Sequence, residues 1–259
     1  MERLINEFAH DWHLSGKAKS TATHYVKCLE HLLLEYPEPD LASTKVWIES
    51  APTVSVKRKR AQSVRAYGKW ATENEYEIFE WWKRIKVPRE PIKPQETVTD
   101  IDYQNGIAIA ANRRDRALIE VLWSCGLRRS EIASLRIEDV NFEEGFVIVR
   151  TTKVGKPRIA PLSPSAIRAL RRFLGRRREG SLLQMSSNAI RLRLQRMGLP
   201  SAHAWRRGWA VQALRTGVSE TSVRAAAGWS SGAMVARYTS ALSGELAIEE
   251  FQRGWKVSR

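Results

Sequence analysis

Past residue 96, the side chains able to do chemistry are few, and most of them are cations. The segment Cys125-Gly126-Leu127-Arg128-Arg129-Ser130-Glu131-Ile132 sets an arginine at a turn just ahead of a helix. Lys153-Val154-Gly155-Lys156-Pro157 is a hairpin turn that presents two lysines. His203-Ala204-Trp205-Arg206 places an imidazole and a guanidinium three residues apart, on one face of a helix. Ala227-Gly228-Trp229-Ser230-Ser231 reads as a helix stop and restart, and Tyr238 lies nine residues beyond Trp229. Tyr103 is the one other tyrosine in this part of the chain. Guanidinium groups make planar, bidentate contacts with phosphate, so the set points to phosphate chemistry.

The same inventory excludes other chemistries. One histidine, His203, and one cysteine, Cys125, cannot supply a His/Cys zinc site. No glycine-rich loop followed by Lys-Ser/Thr is present, which removes an ATP-binding P-loop. The densest acidic stretch, Glu138-Asp139 with Glu143-Glu144, is expected to be solvated turn charge and not a pair of Mg²⁺ sites. Two cysteines in all, Cys28 and Cys125, make no disulfide scaffold.

The elements that must position these groups follow from composition and spacing. With 259 residues, 43% hydrophobic and 27% charged, the chain has a globular composition and room for one to two domains. It carries 43 Lys and Arg against 28 Asp and Glu, a net +15, which implies a polyanionic partner, most often nucleic acid. The charge is uneven: residues 1–95 hold a net +3, residues 96–259 a net +12, and 24 of the 27 cations there are arginine. No apolar run approaches a membrane span, and Met1-Glu2-Arg3 does not open a signal peptide. An intracellular, cytoplasmic protein without structural metal or membrane partner is expected.

Pro88, Pro91 and Pro94 cannot continue a helix, which predicts a linker over 89–98 between domains at 1–88 and 99–259. In the first domain, Leu4, Ile5, Phe8 and Trp12 fall at helical spacing, and Ser20 or Thr21 could cap a helix carrying Tyr25, Leu29, Leu32 and Leu33. A further helix with Val64, Tyr67, Gly68 and Ala71 follows the basic run Lys57-Arg58-Lys59-Arg60. With Arg65 and Lys69, that run predicts a DNA-facing helix. In the second domain, helices are expected at 116–123, from 130, at 187–197, 203–215, 219–227 and 231–238, and finally at 244–255. Ser163-Pro164 caps a further one. Phe146-Val147-Ile148-Val149 and Arg158-Ile159-Ala160-Pro161-Leu162 pair as strands across the lysine turn. The fold class is therefore mainly α with a small antiparallel β-sheet in the second domain.

Gly-Leu-Arg-x-Ser-Glu at Gly126–Glu131, His-x-x-Arg at His203–Arg206, and Gly-Trp followed by Tyr-Thr at Gly228, Trp229, Tyr238 and Thr239 occur in that order, with the lysine hairpin between the first two. Together they resemble the catalytic domain of the tyrosine recombinase (phage integrase) family over roughly residues 99–240, and residues 1–90 are similar in general character. The resemblance implies a two-domain DNA clamp, with a helical core-DNA-binding (SAM-like) domain at 1–88 and a catalytic domain at 99–259. It makes Tyr238 the nucleophile that forms a 3′-phosphotyrosyl link. Arg128 and Arg206 become the clamp on the scissile phosphate, Lys153 the general acid, His203 the group that orients or deprotonates the tyrosine, and Trp229 an indole donor to the phosphate. Counting back from Pro161-Leu162, the family pattern favours Lys153 over Lys156, which is left as a DNA contact.

The same resemblance implies religation without metal, ATP or other cofactor. It implies double-stranded DNA core sites as substrate, a homotetramer on two sites working through a Holliday junction, and helix 244–255 for protomer contacts. A directionality or bending factor is a further implied partner. With no arm-binding domain ahead of the first helix, the expected role is a compact phage or mobile-element integrase, DNA-associated in a bacterial host cell. A host resolvase, or a DNA-binding relative without catalysis, is the alternative.

Overall fold

The computed structural model describes residues 2–16, 19–76, 80–90, 95–150, 157–232, 235, 244, 247–249 and 251–252. The chain divides into two units, Met1–Lys93 and Pro94–Arg259. Among the described residues the first unit holds α1 (Glu2–Leu14), α2 (Lys19–Glu35), α3 (Leu41–Glu49), α4 (Val54–Glu73) and a 3₁₀ turn at Glu80–Arg84. Asp40 and Ser43 satisfy each other's backbone N–H groups in a capping box at α3, and Thr53 caps α4. The apolar stripes meet in an aromatic core of Phe8, Trp47, Tyr67, Trp70 and Trp82 with Ile5, Leu29 and Leu32. Gly68 is required there: a Cβ would stand 2.3 Å from the Trp82 ring.

Two helix starts differ from the sequence expectation. α2 already begins at Lys19, so Ser20 and Thr21 lie inside its first turn and do not cap it. α4 begins at Val54, because the Thr53 oxygen accepts the Val56 N–H at 3.3 Å. The Lys57–Arg60 run therefore belongs to the helix instead of preceding it.

The second unit contains α5 (Asp100–Ala108), α6 (Arg113–Cys125), α7 (Arg129–Ser134), β1 (Val140–Asn141), β2 (Phe146–Val149), β3 (Arg158–Pro161), α8 (Pro164–Leu174), α9 (Ser187–Arg196), α10 (Ala202–Arg215) and α11 (Glu220–Ala227). The strands form one antiparallel sheet in the order β1-β2-β3, with Val147 opposite Ala160. The molecule is mainly helical with a small antiparallel sheet, as the spacing implied. The two-residue strand β1 was not expected, since so short a run carries no periodicity of its own.

α6 is the buried axis of this unit. Leu118, Ile119 and Leu122 are almost wholly enclosed, each contributing about 1.5–3 kcal/mol through burial. Around them lie Val147 and Val149 of β2, Leu170 of α8 and Ile190 of α9. A separate cluster of Trp209, Ala210, Val223, Ala227, Trp229 and Val235 joins α10 to α11. Asp139, expected as a solvated turn charge, is instead buried at 4% exposure. It accepts the Arg136 N–H at 3.0 Å and pairs with the Arg150 guanidinium, which compensates its desolvation. Glu143 and Glu144 are exposed.

Residues 247–249 and 251–252, within the helix expected at 244–255, are helical, with Ile248 and Phe251 exposed. Leu246 and Trp255 lie outside the described residues. No described helix is long and apolar enough to cross a membrane.

Candidate active site

Glu131 is the centre on which the predicted cations converge. It sits in the first turn of α7 and is 2% exposed. Arg128 occupies the N-cap of that helix, its backbone N–H donating to Glu131 Oε2 at 2.7 Å and its Nη1 to Oε1 at 2.7 Å. From β3, Arg158 donates Nη1 to Oε1 at 3.0 Å and Nη2 to Oε2 at 2.8 Å, a bidentate fork. From α10, Arg206 Nη1 lies 3.8 Å from Oε2. Three guanidiniums from three elements thus share one buried carboxylate. Burial alone would raise the Glu131 pKa. The hydrogen bonds from Arg158 and from the Arg128 backbone and side chain outweigh it and hold the carboxyl below its usual range.

Backbone carbonyls fix the same arginines from behind. Arg206 is 2% exposed and donates Nη1 to the Gly126 carbonyl and Nη2 to the Ala227 carbonyl, both at 2.6 Å. Arg158 Nε donates to the Ala226 carbonyl at 2.8 Å. Ala226 and Ala227 end α11, where helical carbonyls have no partner within the helix, so the guanidiniums meet a need that the helix end creates. Gly126, the C-cap of α6, is held at φ +56, and a Cβ there would stand 2.1 Å from the Trp209 ring. This position thus combines a left-handed backbone with direct contact to α10, which favours glycine.

Trp229 follows the left-handed Gly228 and is 7% exposed. Its ring centroid lies 5.1 Å from Arg206 Cζ, a cation–π contact, and the ring also fills the α10–α11 cluster. His203, one turn before Arg206, is exposed on the first turn of α10. Partial desolvation, then the guanidiniums of Arg206, Arg207, Arg128 and Arg129, lower its pKa below the usual 6.5. The imidazole is therefore neutral at neutral pH and able to accept a proton.

Of the six residues expected to do chemistry, Arg128 and Arg206 meet at this carboxylate, Trp229 packs against Arg206, and His203 lies within the field of both arginines. Lys153 and Tyr238 lie outside the described residues, as does Lys156. Among the cations expected to face DNA, Arg58 donates to the Pro88 carbonyl at 3.0 Å and Arg65 to the Ile85 carbonyl at 2.9 Å. Arg60 bonds the Trp47 carbonyl and lies over the Trp47 ring. Lys57 pairs with Glu49 and Lys69 with Glu73, while Lys59 is exposed. Sequence reasoning assigned no chemical role to Arg158 and named Glu131 only as the last residue of the Gly126–Glu131 motif. The three-residue spacing from Arg128 marked Glu131, whereas nothing in the spacing of Arg158 pointed to it.

Residues 101–245, more than half of the chain, match the model of the phage integrase family. The chain belongs to that family. It is 30% identical over 183 residues to tyrosine recombinase XerA of Pyrococcus horikoshii, an alignment covering 69% of this chain and 62% of that relative. With tyrosine recombinase XerC of Neisseria meningitidis it shares 29% identity over 204 residues, covering 68% of this chain and 66% of the relative. The first two XerA relatives are thus spanned over 62% and 63% of their length.

Among solved structures, a lambda integrase dimer bound to a COC′ core site superposes with a TM-score of 0.73 at 14% identity, over 92% of this chain and 94% of the other. XerA recombinase superposes with a TM-score of 0.56 at 18% identity, over 97% and 98%. These likenesses show that this member of the family has the integrase fold.

Proposed function

We propose that this phage integrase family member is a site-specific DNA recombinase that cuts and rejoins duplex DNA through a tyrosine nucleophile. The observation that carries the reading is the convergence of Arg128 and Arg206 on Glu131, beside a neutral His203. A carboxylate that fixes two guanidiniums pre-organises them for the extra negative charge of a pentavalent phosphorane, with no reorganisation at the moment of reaction. In this reading the Tyr238 phenolic oxygen attacks the scissile phosphorus. The bond to the 5′-oxygen breaks, Lys153 delivers a proton to that oxygen, and the 3′-phosphate stays on the tyrosine. His203 takes the phenolic proton, and Trp229 backs Arg206 and offers its indole N–H to the phosphate. Attack by a new 5′-hydroxyl reverses the steps, so the phosphotyrosyl bond itself retains the energy for religation.

The DNA-bound lambda integrase structure supports duplex DNA as the substrate class. Strand exchange between two sites by four protomers, helped by a directionality or bending factor, extends the same reading. The compact spacing of the motifs favours a phage or mobile-element integrase. The curated relatives named XerA and XerC favour a second reading, a Xer-like resolvase.

Covalent trapping tests the chemistry. Nicked duplexes from a library of candidate sites lose the short 5′ fragment on cleavage, which strands the adduct. Wild type is expected to give a protease-sensitive shifted band that Tyr238→Phe abolishes. A band that survives in Tyr238→Phe overturns the assignment of the nucleophile. Flanks exchanged between two trapped sites would mark recombination, and excision of a repeat between sister sites would mark resolution.

A further inference from the structure

A second arginine-rich cleft lies at the other end of α6. It has a volume of about 470 Å³, within the range of small-ligand pockets. Arg113 and Arg116 of α6 line one wall, Arg168 and Arg172 of α8 the other. Arg113 stands twelve residues before Cys125, about 18 Å along the helix from the end that turns at Gly126 toward Arg128.

Its arginines differ from those around Glu131. The side chains of Arg113, Arg168 and Arg172 make no hydrogen bond or ion pair among the described residues, and Arg116 comes only within 3.9 Å of Glu120. Glu120, 2% exposed at the cleft, already accepts from Ser165 Oγ at 2.7 Å and Tyr103 OH at 3.1 Å. Asp115, the other carboxylate of the first α6 turns, is buried and held by Arg193, Nε to Oδ1 at 2.7 Å, so it does not neutralise the cleft. Four guanidiniums against one carboxylate leave the lining at a net of +3. The thirteen-residue α6 also begins here, with its positive dipole end at the cleft. Four guanidiniums lining one concavity, three of them without a partner among the described residues, have one natural complement, a group with several anionic oxygens in reach of planar forks.

We propose that the α6–α8 cleft is a second phosphate-binding site, separate from the candidate active site, that takes a run of adjacent phosphates. These come either from a nucleic-acid backbone outside the cleavage site or from a free oligophosphate. The site stands apart from the cleavage chemistry, and its test does not depend on Tyr238.

The experiment measures the full chain by calorimetry with two probes at one fixed salt concentration, inorganic tripolyphosphate and a random-sequence duplex. Wild type is compared with Arg168→Ala/Arg172→Ala and with Arg114→Ala/Arg176→Ala. The second pair removes the same charge from exposed positions outside the cleft. Circular dichroism checks that each variant folds, and Arg113→Ala/Arg116→Ala repeats the test from the other wall. Since a hydrogen bond to a charged group is worth roughly tenfold in affinity, losing two guanidiniums should weaken binding at least about tenfold, with the control pair near wild type. A selective loss for tripolyphosphate alone makes a free oligophosphate the source. A selective loss for the duplex makes it the nucleic-acid backbone. Equal behaviour of the cleft and control variants with both probes overturns the proposal, since the effect would then be diffuse surface charge.

Discussion

Two buried glutamates in the second unit, each 2% exposed, sit among arginines and are solved in opposite ways. Glu131 is paired directly with Arg128 and Arg158 and lies 3.8 Å from Arg206, so its charge is spread over three guanidiniums whose positions it dictates. Glu120 instead accepts from two neutral hydroxyls, Ser165 and Tyr103, and of the four cleft arginines meets only Arg116, at 3.9 Å. The difference teaches what a carboxylate does among cations. Where it bonds them, it fixes geometry, as catalysis on one phosphate requires. Where hydroxyls satisfy it, the cations keep their charge for whatever enters.

The contrast breaks first at Glu131. Glu131→Gln keeps the shape but strands buried guanidiniums without their counter-charge, and is expected to destabilise the chain by about 3–5 kcal/mol in urea unfolding. A loss below about 1 kcal/mol would show that the arginines are held by the backbone carbonyls alone. Arg158→Lys keeps the charge but removes the bidentate fork and the bond to the Ala226 carbonyl. It should cost about 1–3 kcal/mol and reduce covalent trapping, because the end of α11 that leads to Trp229 loses its tie to β3. Glu120→Gln keeps an oxygen acceptor for Ser165 and Tyr103 and should cost only about 1 kcal/mol. A cost equal to that of Glu131→Gln would erase the distinction between the two glutamates.

The smallest expected effects are those of pH. The folded pKa of His203 lies below 6.5, so the unfolded chain binds the proton more readily. Its neutral form should persist from neutral pH through 6.5. Trapping yield and the His203 share of stability should then fall only as the pH drops toward the lower folded value. The Glu131 pKa is held below 4.5, so its contribution is complete above that pH and is lost as the pH falls through the folded value. A trapping yield that halves at 6.5 would show an imidazole whose pKa is not depressed in the folded chain.

Much of this site was legible in the residues themselves. Helical spacing put His203 and Arg206 on one face, the Gly126 turn set Arg128 before α7, and the Phe146–Val149 and Arg158–Pro161 runs gave the paired strands. Such features are local: they depend on periodicities of two and 3.6 residues and on turn chemistry, which a sequence displays directly. The partners of the α4 cations were not legible in this way. A run of Lys and Arg declares charge, yet Arg58, Arg60 and Arg65 all bond carbonyls of their own unit. A guanidinium's partner is chosen by proximity in space.

The sequence by itself thus determined the helix-rich class, the order of the chemical motifs and the excess of positive charge. Tertiary structure alone decided that Arg158, 27 residues past Glu131, would close on it, and that Arg206 would reach the carbonyls of Gly126 and Ala227. It alone left the side chains of Arg113, Arg168 and Arg172 in the α6–α8 cleft without a partner among the described residues. The physical reason is that a buried charge must find its counter-charge and hydrogen bonds wherever packing brings them. Those partners lie tens of residues away, where no local periodicity can mark them.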